Sequence, residues 1–181
     1  MLNQWRKFRG WVVLEYFLKS NERIHIKGLS KILKISPRTA QTYLRLYEKN
    51  KILRKENVGN ITLYSLNENP VTFEFKKLYS VIRFIPFIDE FVEKNPEINS
   101  VALYGSHAGG MDDRKSDIDI LVISQSKKIN LEPLKKIERN FEKEVKIQIF
   151  SIGEWKSLLN KSDPFALSVL KKHILLYGAS L

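Results

Sequence analysis

The 181-residue chain has no cysteine. Disulfides, thiol nucleophiles and cysteine-ligated zinc are therefore excluded, and the absence fits a reducing, cytoplasmic setting. Histidine is scarce too. His25, His107 and His173 lie far apart in the chain and spell no motif. Long apolar runs are missing: the longest, such as WVVLEYFL, are too short and interrupted to cross a membrane. The first residues, MLNQWRKFRGW, carry basic side chains but no long apolar core and no small-residue cleavage site, so no signal peptide is read there. No Walker A loop, Rossmann glycine triplet, internal repeat or low-complexity tract is present. The GSHAG segment lacks a glycine two residues before its serine, so Ser106 is not a hydrolase nucleophile.

Acidic residues are also in short supply. There are 20 Asp and Glu against 31 Lys and Arg, a net charge of +11. The imbalance is uneven: residues 1–70 hold 14 basic and 5 acidic side chains, and the remainder 17 and 15. A basic part beside a nearly neutral one points to an anionic partner for the first, with Lys-rich solubility as the plain alternative. Apolar content of 43% supplies a core and argues against disorder. The length suits one large domain or two small ones.

In the N-terminal part, WRKFRGWVVLEYFLK predicts a helix with Trp5, Phe8, Val12, Tyr16 and Lys19 on one face. Trp11, Leu14, Phe17 and Leu18 widen its apolar side, and Asn21 ends it. Ile24-His25-Ile26 reads as a short extended piece and LSKILK, 29–34, as a second helix. Ser36 and Pro37 then spell an N-cap and a first helical position for PRTAQTYLRLYEKN, with Ala40, Tyr43, Leu44 and Tyr47 as its buried stripe. KILRKENVGNITLYSLN reads as two strands joined at Val58-Gly59-Asn60.

This order resembles a winged helix-turn-helix over about residues 5–68. The resemblance implies double-stranded DNA as a partner, with the third helix in the major groove and the hairpin at the backbone or minor groove. Arg38, Thr39, Gln41, Thr42 and Arg45 would face bases and phosphates, flanked by Lys51, Arg54 and Lys55. A protein–protein adaptor is the alternative for such a domain. Asn67-Glu68-Asn69-Pro70 marks a boundary, giving domains 1–69 and 70–181.

In the second domain, 71–96 predicts helix, rich in phenylalanine suited to core or homodimer contacts, with Pro86 starting or kinking a helix. The sequence VALYGSHAGGMDDRKSDIDILVI follows. An apolar strand from Val101 ends at Gly105-Ser106, a polar turn follows, and Asp117 and Asp119 then alternate with Ile118 and Ile120. In a strand, residues two apart share a face, so the two carboxylates lie side by side while the isoleucines enter the core. Two hard oxygen donors so placed suit a Mg²⁺ ion that also holds phosphates. Asp112, Asp113 and Arg114 read as a solvated turn, His107 as a solvent-facing loop residue, and Ser116 as a residue that caps or orients Asp117. Beyond Ile123 come an amphipathic helix, LEPLKKIERNFEK, a strand, VKIQIF, and two closing helices, GEWKSLLN and PFALSVLKKHILLYG, the last ended by Gly178.

The stretch GSHAGGMDDRKSDIDILVI resembles the signature of the DNA-polymerase-β-like nucleotidyltransferases, and looks most like their minimal archaeal and bacterial members. The fold class implied is α+β: a winged helix-turn-helix followed by a small mixed-sheet nucleotidyltransferase domain with flanking helices. By the resemblance Gly105, Ser106 and Ser116 belong to the nucleotide site, and Asp117 and Asp119 hold Mg²⁺ and an NTP, with ATP the expected one. Similar minimal nucleotidyltransferases act as antitoxins that modify a partner protein.

Two departures stand out. Gly109 occupies a position where active members often carry an arginine that could hold phosphate. The strand EVKIQIF presents Lys146 and Gln148 where the family uses a third carboxylate, and Glu144 is the only acid nearby. The expectation is a DNA-binding protein whose second domain binds NTP but transfers it slowly or not at all. The alternative is an active enzyme that moves a nucleotidyl group to a protein or other acceptor.

Overall fold

The computed structural model describes residues 7–20 and 22–181 of the chain. Trp5, expected on the first helical face, and Asn21, expected to end that helix, lie outside the described residues. The chain divides into two compact units, Met1–Tyr79 and Ser80–Leu181.

The first unit contains α1 (Arg9–Ser20), α2 (Ile26–Leu33), α3 (Pro37–Lys49), β1 (Leu53–Val58) and β2 (Ile61–Leu66). Helix α1 buries Val13, Leu14, Phe17 and Leu18, a stripe that repeats every four residues. The expected face is therefore rotated. Phe8 is 70% exposed and Lys19 is exposed, because the paired apolar positions 13/14 and 17/18 outweigh the single ones at 12 and 16. The extended piece is shorter than expected: Ile24 bridges Tyr64, but His25 already precedes α2 as its extended N-cap residue. Helix α3 starts as the sequence spells it. Ser36 Oγ accepts from Thr39 N at 3.0 Å, and Pro37 needs no partner for a missing N–H there. Ala40 and Leu44 are buried, with Tyr43 and Tyr47 stacked at the margin. The hairpin β1–β2 is antiparallel, in register from Leu53↔Leu66 to Val58↔Ile61, and Gly59 takes φ +57° at its tip.

Helix α4 (Pro70–Glu93) runs through Pro86 without a break. The division between the units falls within it. Phe75 and Tyr79 join the first core, and Phe84, Ile88 and Phe91 join a core of the second unit.

The second unit is built on a four-stranded sheet, in the order β5 (Val145–Phe150), β4 (Ile118–Ser124), β3 (Ile98–Tyr104), β6 (Ile174–Gly178). Strands β4 and β5 run parallel, and β3 is antiparallel to both β4 and β6. Ile174–Gly178 is not the helix expected from the sequence. It is a strand because the helix before it stops at Lys171 and β3 offers an open edge; a short apolar run cannot itself distinguish the two. Gly178 thus ends a strand, at φ +83°, where a Cβ would collide with the Asn99 carbonyl.

Alternate residues on the central strands face opposite sides. Val101, Leu103, Ile118, Ile120 and Val122 pack under α4 and α6 (Glu132–Phe141). Ala102, Leu121 and Ile123 pack under α7 (Ile152–Asn160) and α8 (Pro164–Lys171) through Trp155, Ala166 and Val169. Asp117 and Asp119 fall on this second face, at the end of β4 beyond the reach of that apolar cover. No helix among the described residues is long and apolar enough to cross a membrane.

Candidate functional site

The site forms where β3 hands the chain to β4. Gly105 turns out of β3 at φ +67° into the short helix α5 (Gly105–Gly109), which Met111 N→Ser106 O at 3.0 Å closes. Two conditions demand glycine at 105: the left-handed φ, and the Asp119 carboxylate lying where a Cβ would stand. Asp119 pairs with Tyr104 on one side and Lys146 on the other. Gln148 pairs with Leu121 further along, so Lys146 is the residue of β5 opposite the aspartates.

The turn before β4 is tied internally. Ser116 Oγ donates to Asp113 Oδ1 at 2.8 Å and accepts from Asp113 N at 2.9 Å. Of the two roles expected, Ser116 does not cap Asp117; its hydroxyl binds Asp113, and it can orient Asp117 only through the turn. Asp113 is less a free solvated acid than the anchor of this turn, and these hydrogen bonds hold its carboxyl below the usual range. Lys143 donates to the carbonyls of Asp113 and Ser116 at 2.6 and 2.7 Å, and Ile118 N donates to Glu144 O at 2.9 Å. These bonds fix where Asp117 starts.

Lys146 Nζ lies 2.5 Å from Asp117 Oδ2. The hydrogen bond to Asp117, then its charge, raises the Lys146 pKa. Burial raises the Asp119 pKa against the opposing pull of Lys146. Burial and the Asp119 charge raise that of Tyr104. Among the described residues no group of three or more His, Cys, Asp and Glu could hold a metal. The pair offers hard oxygens that could hold one divalent ion shared with phosphates, with one carboxylate already engaged by Lys146.

His107 is not the solvent-facing residue expected. It is 1% exposed, with Nδ1 3.2 Å from Ser80 Oγ and its ring edge-on to Phe84. Asp112 is half-buried, 3.7 Å from the same Nδ1. Gly109 has the Lys172 amine in the space a side chain would take. Sequence reasoning missed Lys143, in the turn leading into β5, and Lys172, at the end of α8: both come from segments far along the chain, and no spacing links them to the site.

In the first unit, Arg38, Thr42, Arg45, Lys51, Arg54 and Lys55 are exposed, and Thr39 and Gln41 half-buried. The Thr39 hydroxyl is 2.8 Å from Ser36 Oγ and that of Thr42 donates to Arg38 O, so both are engaged within the helix. Arg54 Nε donates to Ser65 Oγ across the hairpin.

A small mixed sheet with a Gly-Ser turn set against paired aspartates defines a nucleotidyltransferase-type domain. The chain belongs to the polymerase beta nucleotidyltransferase family, whose profile matches residues 87–180. No curated protein matches the sequence. Three solved structures are similar to parts of it. A toxin–antitoxin structure with AMP-PNP is 21% identical, covering 53% of this chain and 74% of that one, with a TM-score of 0.39. A putative nucleotidyltransferase from Sulfolobus solfataricus is 19% identical over 59% and 87%, with a TM-score of 0.37. A mutant of the toxin–antitoxin MntA-HpeT is 19% identical over 53% and 74%, with a TM-score of 0.38.

Proposed function

We propose that the second unit binds a nucleoside triphosphate at Gly105, Ser106, Asp117 and Asp119 and is a poor transferase. The first unit, by this reading, is a winged helix-turn-helix that binds double-stranded DNA. The observation that carries the nucleotide reading is the carboxylate pair at the start of β4, with Asp119 lying against Gly105 where a Cβ would crowd it. Asp117 and Asp119 would hold Mg²⁺, which when bound supplies charge neutralisation for the triphosphate. Gly105 keeps the backbone close to the phosphates, and the Asp113–Ser116–Lys143 ties hold Asp117 in place. Lys146 is the register partner of Asp119, and by the family resemblance a third carboxylate would be expected on this strand. An ammonium cannot accept a proton from an attacking group, so the acceptor side lacks the group that would activate it. This favours nucleotide binding over transfer to a partner protein, and ATP is the ligand to try first.

The DNA reading is supported by the Ser36-capped helix with Arg38 and Arg45 exposed beside a hairpin bearing Lys55. Calorimetry with ATP and Mg²⁺ tests the nucleotide reading. Asp117→Asn with Asp119→Asn should abolish binding while the circular dichroism spectrum is kept; equal binding by wild type and variant would sink the assignment.

A further inference from the structure

We propose that the Lys146 ammonium is a resident cation on the aspartate pair, and that a divalent ion reaches this site only by displacing it. The inference rests on the reading of Asp117 and Asp119 as metal carboxylates. It adds that the chain supplies its own competitor for them.

Placement comes first. Strands β4 and β5 are parallel, and Asp119 and Lys146 are register partners, so their side chains leave the sheet on the same face. Asp117, two residues before Asp119, shares that face. Lys146 Nζ meets Asp117 Oδ2 at 2.5 Å, a charge-assisted contact. A hard divalent ion would use that same oxygen.

Charge comes second. Two carboxylates on adjacent same-face positions repel one another. The family answer to that repulsion is an ion from solution; here a covalently tethered ammonium provides it. Glu144, beside Lys146 on the approach to β5, adds negative charge that helps hold the ammonium there. Tyr104, the remaining titratable neighbour of Asp119, is a neutral phenol at physiological pH, and burial and Asp119 push its ionisation higher still.

Mobility comes third. The Lys146 side chain is 50% exposed and Asp117 34%. Half its surface already faces water, so the ammonium can swing out when a stronger competitor arrives. A metal ion alone must expel the ammonium into water. A metal–nucleotide complex brings phosphates that give the released ammonium a new anion. Metal binding to the free protein is therefore weak, and nucleotide and metal bind with mutual help.

The test uses the full chain without nucleotide and titrates Mn²⁺ by calorimetry and electron paramagnetic resonance. Wild type should bind weakly. Lys146→Ala should bind on the order of tenfold more tightly, and Asp117→Asn in that background should remove the gain. Lys146→Arg, which keeps the cation, should stay weak. Lys156→Ala changes net charge equally at an exposed position on α7 and should leave Mn²⁺ affinity as in wild type. Equal binding by wild type and Lys146→Ala, or an equal gain from Lys156→Ala, overturns the role of Lys146 and leaves the metal reading standing. No Mn²⁺ binding by any variant overturns the metal reading and this inference with it, whatever the ATP titration shows.

Discussion

In the second unit several cations meet acids. Lys94 and Lys136 converge on Glu90, Arg139 meets Glu132, Lys127 meets Glu154, and Lys146 meets Asp117. In the first unit Arg23 meets Glu56 and Lys77 meets Glu74, but Arg38, Lys51 and Lys55 form no ion pair among the described residues. Surface ion pairs add little stability, so neither pattern bears much on folding. The difference bears on binding. A nearly neutral unit offers little to a polyanion, whereas exposed cations around a capped helix would release counterions if a phosphate backbone were bound there.

The largest expected effect tests that contrast. Arg38→Glu with Arg45→Glu should weaken double-stranded DNA binding on the order of a hundredfold near physiological salt and lower the salt slope by about two. Fluorescence anisotropy across a salt series reads both. Lys127→Ala, taken from the matched unit, should change neither. If the two variants behave alike, charge matching does not distinguish the units, and the third helix is not the DNA-contacting element.

A second contrast lies in two glycines with left-handed φ. A Cβ added to Gly59, at the hairpin tip, would meet nothing within 4 Å, whereas one added to Gly105 would run into the Asp119 carboxylate. Gly59→Ala should cost only backbone strain, about 1 kcal/mol. Gly105→Ala should cost about 2 kcal/mol or more, since the carboxylate must also move. Thermal unfolding of both variants checks the order, and ATP titration should show a loss for Gly105→Ala alone. Equal destabilisation would mean that Asp119 gives way freely and is not held against the turn.

What could be read in the sequence was local. Ser36-Pro37 marks the start of α3 because a cap and its helix are neighbours in the chain. The alternation Asp117-Ile118-Asp119-Ile120 was legible because a strand period is two residues, and the buried isoleucines bear that alternation out. The rest depends on partners that local patterns do not name. Ile174–Gly178 is a strand because β3 has an open edge to fill. His107 is buried because Ser80 and Phe84 on α4 cover it. Lys146 was visible as a missing carboxylate, but its salt link to Asp117 required the register of β4 against β5.

The smallest expected effect concerns a matched pair in the second unit. Glu154 caps α7 through Ser151, with its carboxylate 2.8 Å from Ser151 N, and it also meets Lys127. The Lys127 contact, then the hydrogen bonds from Ser151, push its pKa down to about 2. A carboxyl whose folded pKa lies below its unfolded one stabilises the fold above the unfolded value, and that contribution is lost as pH falls through the folded value. Glu154→Gln should therefore lower the unfolding temperature slightly at pH 7. The gap to wild type should shrink between the ordinary carboxyl range near 4.5 and pH 2, and vanish below it. Because the pair is solvent-exposed, the neutral-pH gap should also narrow in high salt. Lys127→Ala should reproduce only the part due to charge pairing, leaving the Ser151 capping bonds intact. A gap that is constant from pH 7 to pH 2 would mean that Glu154 acts through helix packing alone, and that matching of charge in this unit contributes nothing to its stability.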